Sequence, residues 1–146
     1  MKTRRPKKTD NICKKLISNE MMLFAAYSMT LLRSKPHLYF ADNGKIHQIR
    51  NIVLEVLSHN LISYAKKNSI DIPMETADFL SFSNKEICKI VDSIAKITTD
   101  FDYLSNLLKA ELFLIKHYSS ILTDVLNDEE LNKIVENNVK IHRENA

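Results

Sequence analysis

Two glutamates, two tyrosines and two histidines recur in this chain at matching positions, and they are the side chains best equipped for chemistry. Glu111 falls within Leu104, Leu108, Glu111, Ile115, Tyr118, Leu122 and Val125, a run that steps by four and three residues. That spacing keeps side chains on one stripe of a helix. Cys13, Ile17, Glu20, Phe24, Tyr27 and Leu31 repeat the run position for position, so each stripe carries a glutamate followed seven residues later by a tyrosine. An ionised carboxylate facing a helical core is costly unless a partner or a metal meets it there. Hydrogen bonds from Tyr27, Tyr118, His59 or His142 would make Glu20 and Glu111 a buried polar network that fixes the register of the helices.

The elements that must position these residues follow from the same periodicity. Thr9 or Asp10 caps a first helix, which ends near Ser34 because Pro36 cannot continue it. After a turn at Asp42-Asn43-Gly44, a second helix is expected from about Lys45 to Lys67, with Ile49, Ile52, Val53, Val56 and Ile62 on its inner face. The last helix begins after Asn127-Asp128, with Leu131, Ile134, Val135 and Val139 facing inward. His59 and His142 each lie three residues past a valine, Val56 and Val139. The chain therefore reads twice as glutamate, tyrosine, turn, Val-x-x-His, which predicts two antiparallel hairpins burying their faces against each other. Residues 68 to 84, with Pro73, are long enough to cross from one hairpin to the other. Ser83 or Asn84 caps a further run from Lys85 to about Ile97, and the pattern leaves open whether residues 85 to 126 form one helix or two.

Two helical hairpins joined by a long crossover, with Glu20 and Glu111 on the first helices and His59 and His142 on the second, resemble the ferritin-like superfamily. The nearer likeness is to its small bacterial members such as spore coat F-like proteins. The resemblance implies an all-α, ferritin-like four-helix bundle with at most one extra short helix. In the metal-binding members each second helix carries Glu-x-x-His, and both residues hold a di-iron or di-manganese centre. Here Val56 and Val139 stand where the bridging glutamates belong, so di-metal oxidase chemistry is not expected. Glu20, His59, Glu111 and His142 would at most suit one zinc or iron ion.

Composition sets the outer bounds. One glycine and three prolines in 146 residues argue for long helices with short connections, and exclude glycine-rich phosphate loops. Hydrophobic residues at 45% and charged residues at 27% are ordinary for a globular protein, and no apolar run reaches membrane-spanning length. Cytoplasmic residence is the expectation. Cys13 and Cys88 are far apart and read as core residues. No H-x-x-x-H pair links His37, His47, His59, His117 and His142, and Asp71, Glu75 and Asp78 are too irregular for a calcium loop. Residues 1–9 are expected to be a disordered tail, and residues 10–146 one helical domain. Lys2, Arg4, Arg5, Lys7 and Lys8 offer weak phosphate contact with nucleic acid. Met22, Leu23, Leu32 and Phe113 lie outside the stripes and need cover, which points to a homo-oligomer or a protein partner. The expected role is that of a non-enzymatic structural or interaction protein without cofactor. The alternatives are single-ion binding through the Glu/His set and nucleic-acid binding through the tail.

Overall fold

The computed structural model describes residues 7–34, 40–72, 79, 81–96, 100–125 and 127–146. The basic tail before Lys7 lies outside them, as do Pro73, Glu75 and Asp78 of the crossover. Most of the described residues are helical, with no strand among them.

α1 (Lys7–Ser34) is followed by α2 (residues 40–67), a continuous rod that winds as α-helix over Phe40–Ile52, as π-helix over Val53–Ser58 and as α-helix again over His59–Lys67. α3 (Lys85–Ala95), α4 (Asp100–Ile121) and α5 (Glu129–Asn145) follow, with a 3-10 turn at Thr123–Val125. Residues 85 to 126 thus form two helices; the first closes at Lys96, and residues 97–99 lie outside the described set.

Side-chain bonds fix the directions of these rods. Cys13 reaches the Leu61 carbonyl and Arg50 donates to Ser28 at 2.7 Å, so α1 and α2 are antiparallel. Tyr27 meets Glu111 and Tyr118 meets Glu20, so α1 and α4 are antiparallel as well. Lys67 pairs with Glu130, Tyr64 with Asp128, and the Leu57 carbonyl with Asn138, which sets α5 against α2 in the opposite sense. α2 and α4 consequently run the same way, and the long connection between them carries α3. That helix packs on both α1 and α4.

Several expectations are corrected at this level. α1 is already helical at Lys7, so Thr9 and Asp10 lie inside it rather than capping it. Asp42-Asn43-Gly44 is helical and not a turn, because α2 starts at Phe40. Met22 and Leu23 are buried, since α1 has α2, α3 and α4 packed around it instead of one seam. Leu104 and Leu108 are 38% and 45% exposed, whereas Glu111, Tyr118 and Val125 of the expected stripe are buried together with Tyr103, Leu107, Ala110, Leu114 and Ile121, so the buried side of α4 takes in the residues just before Leu104 and Leu108. The helix is apolar on most sides, so both stripes satisfy the same spacing and periodicity alone does not choose between them.

Asp128 caps α5 by accepting from the Leu131 N–H at 3.0 Å. Asn84 has the extended backbone of an N-cap residue, but its side chain turns to Asn19, whose amide also accepts from the Asn84 N–H at 2.9 Å. That reciprocal pair ties the start of α3 to the middle of α1.

Candidate functional site

Glu20 of α1, Glu111 of α4 and His142 of α5 converge in the core, where each is at most 1% exposed. The imidazole lies between the carboxylates. His142 Nδ1 donates to Glu111 Oε2 at 2.6 Å, and Nε2 donates to Glu20 Oε2 at 2.7 Å. Each tyrosine crosses to the glutamate of the opposite helix: Tyr27 donates to Glu111 Oε1 at 2.7 Å and Tyr118 to Glu20 Oε2 at 2.5 Å. The crossing arises because α1 and α4 are antiparallel and carry the same seven-residue interval. Glutamate on one helix therefore falls level with tyrosine on the other.

Burial alone pushes the His142 imidazole toward its neutral form. Glu20 and the hydrogen bonds to both carboxylates outweigh that effect and raise its pKa from 6.5 to about 10. The ring is thus an imidazolium at neutral pH, with both N–H groups donating. Burial first and Glu111 second push the Tyr27 phenol far above its ordinary range, and burial followed by Glu20 does the same for Tyr118. Both remain neutral donors. His142 also sits in the last turn of α5, where positive charge is favoured by the helix dipole.

No known family, curated protein or solved structure matches this chain. The chemistry of the site rests on its own geometry.

Of the four residues singled out as ligands, three meet and one does not. His59 is exposed on α2 and faces Ser63, at 3.3 Å. The cause is the π-helical segment immediately before it, which inserts one residue relative to α-helical winding and turns the rest of the helix by about 100°. Leu57 and Ser58 face inward in place of Val56, which is 37% exposed. Val139 is buried beside His142 but supplies no oxygen.

These residues do not fit a ferritin-type metal centre. Both nitrogens of His142 are committed to carboxylate oxygens, and the ring occupies the space between those carboxylates. Among the described residues, no three His, Cys, Asp or Glu side chains are arranged to hold a metal ion.

Asn138 belongs to the network although the repeated pattern does not include it. It is fully buried, and its Nδ2 donates to the Tyr118 hydroxyl at 3.2 Å and to the Leu57 carbonyl at 3.4 Å. The sequence does carry a signal for it, because Leu131, Val135, Asn138 and His142 step by four, three and four residues and place an amide on the seam. Glu20 Oε1 and Asn138 Oδ1 are buried with no hydrogen-bond partner among the described residues.

Proposed function

We propose that this chain is a non-enzymatic structural or interaction protein of ferritin-like architecture, in which a protonated histidine does the holding that metal ions do in metal-binding relatives of that fold. The observation that carries this reading is His142 bridging Glu20 and Glu111 through both ring nitrogens. A group locked in that way has no free lone pair for a metal and no free base for proton transfer. The antiparallel pairing of α1 with α2 and of α4 with α5, with a long connection joining the parallel α2 and α4, supports the ferritin-like topology. Self-association is supported by Leu32 at 82% exposure and Leu112 at 52%, large apolar side chains that water covers poorly.

Elemental analysis of protein purified without chelator or histidine tag tests the reading. The expected outcome is a folded protein with no stoichiometric zinc, iron or manganese, before or after reconstitution. Near-stoichiometric metal that disappears in the Glu20→Ala, Glu111→Ala double variant would overturn it in favour of single-ion binding.

A further inference from the structure

A cavity of about 210 Å³ opens beside the buried network, with Tyr27 and Glu111 in its lining. Ile46 and Ile49 of α2 and Leu104, Leu107 and Leu108 of α4 form its apolar walls, while Lys45 and Asn145 also border it. We propose that this cavity binds a small organic cation: an ammonium group carried on an apolar body about the size of a benzene ring. The proposal goes beyond the structural reading above and does not depend on it.

Size and lining set the body of the ligand. An apolar cavity of about 150 Å³ is enough to take up benzene, so the present one holds an aromatic ring with a short substituent. Charge sets the head group. Glu111 uses one lone pair on Oε1 for Tyr27 and one on Oε2 for His142. A carboxylate offers about four acceptor positions, which leaves room for a further donor. Glu111 is the one acidic side chain among the described residues that line the cavity. Lys45 carries the opposite sign, but it is exposed and its field is screened by water, whereas Glu111 is 1% exposed and is screened far less. Asn145 Nδ2, buried without a partner among the described residues, is a donor and would favour an acceptor on the ligand. An anion held by Lys45 and Asn145 is therefore the competing occupant.

The test titrates the full chain with benzylamine, benzyl alcohol and benzoate at neutral pH and low salt, followed by nuclear magnetic resonance. Saturable binding of benzylamine is expected, with shifts concentrated at Ile46, Ile49 and Leu107 and an affinity about tenfold or more above that of the alcohol. Leu108→Trp places a large ring at a half-exposed wall position without touching the core. It should weaken benzylamine binding about tenfold or more while leaving the rest of the spectrum unchanged. Glu111→Gln, where it folds, should erase the preference for the amine. Equal affinity for amine and alcohol, preference for benzoate, absence of saturable shifts, or indifference to Leu108→Trp would each overturn the proposal. None of these outcomes bears on metal content, so the two readings fail separately.

Discussion

His142 bonds both buried glutamates, so its proton links the site to the stability of the fold. Its folded-state pKa is raised, so the native state holds a proton that the unfolded chain releases. The resulting stabilisation is fully present below pH 6.5 and is lost as the pH climbs toward about 10. Within that window, stability should fall with a slope approaching 1.4 kcal/mol per pH unit, roughly the value for one proton. Tyr27 and Tyr118 have phenols raised in the same direction, so the loss continues above pH 10, where unfolded tyrosines ionise. Urea unfolding between pH 6 and pH 10 measures this, and a flat profile would contradict the assignment of the imidazolium. His142→Leu should cost about 3–5 kcal/mol, because it leaves two buried carboxylates without their counter-charge, and it should flatten the same profile. The sequence marks Glu20, Glu111, both tyrosines and His142 as seam residues, since all keep helical spacing with their apolar neighbours. It does not mark His59 as an outsider, because a π-helical turn leaves no trace in residue type.

At the scale of the helix, two positions carry the residue that the other would use better. Gly44 is helical, and a Cβ added there would meet nothing within 4 Å, so its flexibility serves no packing purpose. Ser69 has φ 56 and ends α2 in a Schellman arrangement, with the Ile70 N–H on the Ala65 carbonyl and the Ser69 N–H on the Lys66 carbonyl. That left-handed position favours glycine. Gly44→Ala should add about 0.5–1 kcal/mol through helix propensity. Ser69→Gly should add about 1 kcal/mol by relieving the left-handed strain. The sites share no partner, so thermal unfolding of the double variant should show additive gains. The hairpins are legible from periodicity and the sparse glycine. The start of α2 is not, because Asp-Asn-Gly is a strong local turn signal and the burial of Ile46 and Ile49 on α2 opposes it.

For the molecule as a whole, four of the five large exposed leucines among the described residues divide into two pairs with different consequences. Leu104 and Leu108 border the cavity, whereas Leu32 and Leu112 do not. Replacing Leu32 and Leu112 with serine and glutamate respectively should leave the fold intact and lower the sedimentation coefficient if copies associate through these positions. An unchanged coefficient in wild type and variant, each at the monomer value, would remove self-association from the proposed role. α3 explains why Met22 and Leu23 read as surface in the sequence: two hairpins have no place for a fifth helix against α1 and α4, and they leave the outer face of α1 uncovered. Lys14 of α1 lies 5.4 Å over the Phe82 ring just before α3, and Arg50 of α2 lies 4.5 Å over the Phe24 ring of α1.

The wide turn at Val53–Ser58 makes α2 one residue longer than its packing requires. Ile46, Ile49 and Val53 face inward before it and Leu57, Leu61 and Tyr64 after it. Both sets keep contact with the rest of the molecule only because the surplus is absorbed between them. Shortening a helix by one residue ordinarily turns everything downstream away from its neighbours. Loss of exposed Leu54 would instead let the rod wind evenly and bring the same side chains back into place. Length is thus forgiving in this segment and unforgiving in the turns that flank it.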